Sequence, residues 1–201
     1  IIATDDKRVR DAAEAHGARV VMTRSDHPSG TDRIAEVAQN SSAAIIVNVQ
    51  GDEPLIDPAT IDGTIQPLLD SPDIPMATAR HRISQPSDVA DPNRVKVVCD
   101  QKGRALYFSR SPIPAVRAAG PLGYPEGSYW QHVGLYAYRR DFLLQYAKMA
   151  PTPPEKLEKL EQLLAVAAQD AETLKRTLAE VDQRREKQAK VNAEVAAAEA
   201  L

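Results

Sequence analysis

The chain has 201 residues, 43% hydrophobic and 26% charged, with a formal net charge of -3. That length allows one domain with a sizeable core, or one with an appendage, and the charge excludes the basic field of a nucleic-acid binder. No apolar run approaches the roughly 20 residues that span a bilayer, and the single cysteine, Cys99, excludes an internal disulfide and a Cys-only metal cage.

In chain order the elements alternate. Ile1–Thr4 reads as a buried strand already under way, so the start looks like a cut inside a domain, with no secretory signal ahead of it. A short helix over Lys7 to His16 follows, stopped by Gly17. Ala18–Thr23 is a strand, and Thr31 to Gln39 a helix with Thr31 or Ser29 near its N-cap. Ala44–Val49 is a continuously apolar strand, as expected where both sheet faces are covered. Pro58 to Leu69 is a helix. Met76–Arg82, Val95–Asp100, Ala105–Ser109 and His132–Tyr138 are strands, and Arg139–Met149 is a helix. Such alternation predicts an α/β domain, a doubly wound, mostly parallel sheet.

The composition is uneven. All nine aromatics lie between Tyr107 and Tyr146, and every glycine and proline lies at or before Pro154. Beyond it, Leu157, Leu160, Leu164, Ala167, Ala171, Leu174, Leu178 and Val181 form an apolar seam of period 3.5. A long helical tail is expected there, either a solvated helix packing on a neighbour or a coiled coil over its first four heptads.

Three stretches could carry chemistry. In Asn48-Val49-Gln50-Gly51-Asp52-Glu53-Pro54 a buried strand ends in two carboxylates, at the edge where open α/β sheets bind ligands. Asp52 could hold Mg²⁺ against phosphate oxygens, or merely cap the following turn. Thr23-Arg24-Ser25-Asp26-His27-Pro28-Ser29-Gly30-Thr31-Asp32-Arg33 leads into a helix N-terminus, which attracts anions. Arg24 and Arg33 could grip phosphate or carboxylate there, or be surface residues on a capped loop. His27 has no partner at metal-ligand spacing. In the aromatic strands, Arg110, His132 and Tyr136 could grip an anionic polyhydroxy ligand. Residues 132, 134 and 136 share one strand face, so Gly134 could leave room between His132 and Tyr136. The alternative is an aromatic core with a satisfied histidine. Cys99 reads as a small core residue.

Taken in order, Ala3 to Asp6, Met22 to Arg33, Val47 to Pro54, Asn93 to Val98, Ala105 to Arg110, His132 to Tyr138 and Leu157 to Leu163 resemble the 3-deoxy-manno-octulosonate cytidylyltransferase (CMP-Kdo synthetase) family. The resemblance covers roughly residues 1–163. It implies a Rossmann-like nucleotide-diphospho-sugar transferase fold and transfer of CMP from CTP to Kdo, with Mg²⁺, for lipopolysaccharide synthesis. It further implies a cytoplasmic homodimer with no nucleic-acid or membrane partner. By matching position, Asp52 and Arg110 are implied as catalytic residues, with Asp52 the metal ligand. Arg24, Gln50, Arg110, His132, Tyr136, Glu161 and Gln162 are implied as substrate-binding residues, Arg110 suiting the Kdo carboxylate.

The chain also departs from that pattern. The family's opening strand and Pro-Ala-Arg…Leu-Pro-Gly-Lys phosphate loop have no counterpart here, nor does its second metal aspartate after Leu163. A partial cytidylyltransferase domain over 1–163 with a helical tail over 164–201 is therefore expected, with weak or no turnover by this stretch alone. Loss of the central first strand predicts that the Ile1–Thr4 and Ala44–Val49 strands either close on each other or have the gap filled by a partner. Two other functions remain open: a degenerate nucleotide-binding interaction module with a helical arm, and a cytidylyltransferase for another sugar acid such as a sialic acid.

Overall fold

A computed structural model describes residues 1–51, 53, 55–116, 124 and 127–168. The chain divides into two compact units, Ile1–Pro151 and Thr152–Leu201.

Among the described residues of the first unit, seven strands and five helices follow in the order expected for an α/β domain: β1 (Ile2–Thr4), α1 (Lys7–Ala15), β2 (Val20–Met22), α2 (Gly30–Gln39), β3 (Ile45–Val49), α3 (Pro58–Asp70), β4 (Met76–Arg82), α4 (Pro86–Ala90), β5 (Lys96–Cys99), β6 (Ala105–Ser109), β7 (Trp130–Arg139) and α5 (Arg140–Tyr146). Helix starts follow local chemistry. Asp6 caps α1 by accepting the Arg8 backbone N–H at 2.8 Å, and Ser29 caps α2 by accepting that of Asp32 at 3.2 Å. Gly17, just past α1, has φ +80°, the left-handed geometry of a helix stop. The helix at α4 had no apolar periodicity to betray it; Pro86 opens it, and Val89 is its buried residue.

β1 and β2 pair in parallel as a separate two-stranded sheet. The other strands form a five-stranded sheet around β7. On residues 136–138 of β7, β3 pairs along one edge and β4 along the other, both antiparallel. β3 and β4 therefore share one direction, with β7 running against them. β5 bridges β7 at Lys96↔Gln131 and carries β6 as an antiparallel hairpin. α3 packs across β3, β4 and β7, while α2 packs against β1, β3 and α5. Among the described residues, β1 pairs as a strand only with β2, and β3 only with β7. The two strands do not close on each other, so that half of the expectation is corrected.

β7 is where the aromatic cluster pays off. Leu135, Ala137 and Tyr138 are buried with Phe108, Leu143 and Tyr146, and Tyr136, Tyr138 and Tyr146 run as successive ring contacts at 5.9 and 6.2 Å. Two consecutive arginines at its end tie in the helices. Arg139 donates to the carbonyls of Leu68, Ser71 and Ile74 behind α3. Arg140 donates to those of Ala38 and Gln39 at the end of α2.

In the second unit, α6 (Pro153–Glu158) begins with a capping box between Thr152 and Glu155. It ends at Lys159, whose φ of 52° is left-handed, and helix resumes over 162–168. The expected seam is thus interrupted at its first step: Leu157 is 86% exposed, whereas Leu160, Leu163 and Leu164 are buried. A left-handed residue rotates the chain out of helical phase, so period alone could not carry the stripe through it. The rest of the expected tail, 169–201, lies outside the described residues. No helix among the described residues is long and apolar enough to cross a membrane.

Candidate functional site

The site is built on one face of the β3–β7–β4 sheet. Alternation places Asn48 of β3, and by continuation Gln50, on the same side. Asn48 is opposite Tyr136 in the ladder. It is only 3% exposed, and its Nδ2 is the buried side-chain atom that has no hydrogen-bond partner among the described residues. A buried amide left in that state costs roughly 1–3 kcal/mol, which marks a place where a polar ligand atom would be welcome.

Gln50 bridges two of the motifs. A Cβ built on Gly134 would lie 3.4 Å from its Cγ, and one on Gly30 would lie 3.7 Å from its Oε1. The room left by Gly134 is therefore filled by the Gln50 side chain, a correction to the expectation of a ligand there. Gln50 sits between the N-terminus of α2 and strand β7, so the Ser29-Gly30-Thr31-Asp32-Arg33 segment and the His132–Tyr136 segment meet at one residue.

His132 and Tyr136 share a face as expected, with ring centroids 5.4 Å apart. The His132 ring also meets Phe108 of β6 edge-on at 5.1 Å, and its Nε2 lies 2.9 Å from Thr78 Oγ1. Burial pushes its pKa down from 6.5 to about 4, so the imidazole is neutral near pH 7. Between Thr78 and Ala79 the β4–β7 register shifts, so that Gly134 and Leu135 have no ladder partner on β4. Such bulges re-aim side chains beside active sites.

Arg110 follows β6 by one residue and lies two residues beyond Phe108. Its Nη1 donates to the Pro92 carbonyl at 3.0 Å. That same turn is held from below by Lys96, which is 0% exposed and donates from Nζ to the Asp91 carbonyl at 2.8 Å. Arg24 is placed differently: it is exposed and pairs with Asp26 at 2.8 Å. Arg33 turns inward to Thr23 Oγ1 at 2.6 Å and Asp5 at 3.1 Å, so it braces the loop. His27 pairs with Glu36, and that hydrogen bond holds the Glu36 carboxyl below its ordinary value. Cys99 is half-buried, and burial raises its thiol pKa.

Asp52 lies outside the described residues. Its neighbours form a turn in which the Glu53 N–H donates to the Gln50 carbonyl at 3.1 Å. The described residues contain no cluster of three or more metal-binding side chains. Glu161 and Gln162 belong to the second unit, where Glu161 accepts the Leu164 N–H at 3.0 Å and Gln162 is buried.

Sequence reasoning passed over Asn48, Thr78 and Lys96. A lysine inside the apolar run Val95-Lys96-Val97-Val98 and an asparagine inside Ile45–Val49 were visible signals, since a polar group in a buried strand must have a partner or a purpose. Thr78 carried no signal, because threonine is ordinary in strands.

A model of the cytidylyltransferase family matches residues 1–178, which fixes the class. A 3-deoxy-manno-octulosonate cytidylyltransferase of Solibacter usitatus is 56% identical over 166 residues, 83% of this chain and 64% of that protein. One from Pelobacter propionicus is 54% identical over 177 residues, 83% and 68% of the two chains. A solved structure described as CMP:2-keto-3-deoxy-manno-octonic acid synthetase complexed with CTP superposes with a TM-score of 0.73 at 45% identity, covering 82% of this chain and 66% of that one. The chain belongs to the 3-deoxy-manno-octulosonate cytidylyltransferase family, and it spans about two thirds of the length of these relatives.

Proposed function

We propose that this chain acts in transfer of CMP from CTP to Kdo, giving CMP-Kdo and pyrophosphate, as a step toward lipopolysaccharide. The observation that carries the reading is the position of Gln50 beside the unpartnered Asn48 amide, between the α2 N-terminus and the His132–Tyr136 strand. A neutral polar surface of amide, imidazole and phenol groups there meets a helix end suited to anions. A phosphorylated nucleotide and a sugar acid need that pairing of chemistries.

In this reading the 2-hydroxyl of Kdo attacks the α-phosphorus of CTP. The new O–P bond replaces the bond to the β-phosphate, pyrophosphate leaves, and the hydroxyl proton passes to solvent or a nearby base. Catalysis is then mainly positioning and charge neutralisation. Arg110 takes the Kdo carboxylate, for which it exchanges its Pro92 carbonyl. Gln50, His132 and Tyr136 bind Kdo hydroxyls. Arg24 faces the nucleotide or the sugar acid; its exposed pair with Asp26 is cheap to open. Asp52 would hold Mg²⁺, which would supply neutralisation of the developing charge. A homodimer in the cytoplasm, where CTP is available, is the proposed setting.

Acceptor preference, rather than absolute rate, tests the reading. With CTP and Mg²⁺, CMP should pass to Kdo in preference to a sialic acid. Whatever transfer this stretch supports should be lost in Asp52→Ala, and Arg110→Ala should weaken Kdo binding about tenfold or more. Equal use of a sialic acid, or an indifferent Asp52→Ala variant, would overturn it.

A further inference from the structure

The Thr78 hydroxyl is over-subscribed in an informative way. It stands 2.8 Å from the Leu135 carbonyl, 3.3 Å from the Val133 carbonyl and 2.9 Å from His132 Nε2. Both carbonyls can only accept, and the hydroxyl has one proton. The bulge has left the Leu135 carbonyl without a β4 ladder partner, so the proton belongs on that shorter contact. The hydroxyl oxygen then faces Nε2 with a lone pair, and that contact is attractive only if Nε2 carries hydrogen. The ring is buried at 8% exposure and neutral, so Nδ1 is left with a lone pair, and no protein group bonds it among the described residues.

We propose that Thr78 is a positioning residue: anchored on the bulge carbonyls of β7, it locks His132 as the Nε2–H tautomer and so presents Nδ1 as an acceptor for a hydroxyl of the bound sugar acid. The lock stands on the hydrogen-bond geometry and the burial of the ring, whereas the identity of the hydroxyl donor rests on the proposed function. The tautomer matters because an Nδ1–H ring would offer a donor in place of an acceptor. A hydroxyl that must itself surrender its proton elsewhere could still bind it, but with its orientation reversed.

Long-range ¹⁵N–¹H spectra of the full chain read the tautomer directly, before any ligand is added. The wild type should show protonated Nε2 and unprotonated Nδ1 on His132. Thr78→Val, nearly isosteric without the hydroxyl, should give a mixture of tautomers, and Thr78→Ser should restore the single form. A wild-type ring protonated on Nδ1 would overturn the proposal even if Thr78→Val fails to fold, as would a Thr78→Val ring indistinguishable from wild type. Kdo is then titrated in the presence of CTP. Its binding should shift Nδ1, weaken about tenfold in Thr78→Val and stay within about twofold in Thr78→Ser, with CTP affinity unchanged in both. An intact tautomer lock with no Nδ1 response to Kdo would instead refute the sugar-acid reading of the site.

Discussion

Burial gives His132 a consequence that reaches beyond its proposed binding role. Its folded-state pKa of about 4 lies below the ordinary 6.5, so between those values the unfolded chain takes up a proton that the folded chain refuses. Stability from this group is complete above pH 6.5 and is lost as pH falls toward 4, by on the order of 3 kcal/mol. Other groups titrate in the same range, and His132→Gln separates them. The stability advantage of wild type over the variant, measured by urea denaturation, should shrink between pH 7 and pH 4.5; an advantage constant with pH would contradict it. The histidine was legible in the sequence as a candidate, but its protonation state was not. Neither burial nor the Thr78 contact can be read from Gln131-His132-Val133, because both depend on strands 54 residues apart in the chain.

At the scale of elements, helix ends carry much of the organisation. Ser29 and Asp57 cap α2 and α3 from within their own turns, and such local caps can be read from sequence because donor and acceptor are neighbours. The C-terminal ends are held differently. Arg140 reaches the last carbonyls of α2 from about 100 residues away. Charged donors at a helix C-terminus oppose the partial negative charge there and satisfy carbonyls that the helix leaves open. Arg140→Ala should therefore destabilise the chain by about 1–2 kcal/mol, and Arg140→Lys should recover only part of it, since one ammonium lacks the fork that spans both carbonyls. Thermal unfolding of the two variants checks this; an unchanged midpoint for Arg140→Ala would refute it. Because α2 begins beside Gln50, the same clamp bears on where the start of that helix lies. The broken seam teaches the converse lesson. Its period was real as a pattern of residues, yet Lys159 adopts a left-handed conformation that no periodicity announces.

Across the first unit, stability should be uneven. β7 is hydrogen-bonded along both edges and lies among the buried aromatics. The β1–α1–β2 segment has strands of three residues, a helix with no buried residue, and Ile1 at 70% exposure. Segments with few buried contacts open at lower free energy than the core. Amide exchange should therefore protect Leu135 to Tyr138 most strongly and release Ile2 to Met22 through an earlier, partial opening. Equal protection of the two would sink this picture.

By itself the sequence determined the alternation of strands and helices, the α/β class and the family, because hydrophobic period, capping residues and contiguous motifs are all written within short spans. It also singled out Gln50, Arg110, His132 and Tyr136. Only the tertiary structure decided that β7 runs against both β3 and β4, that Gln50 fills the space beside Gly134, and that Asn48, Thr78 and Lys96 belong to the account. Strand direction, a bulge and an unpartnered amide arise from pairing between distant segments, and no local pattern of residues specifies the partner.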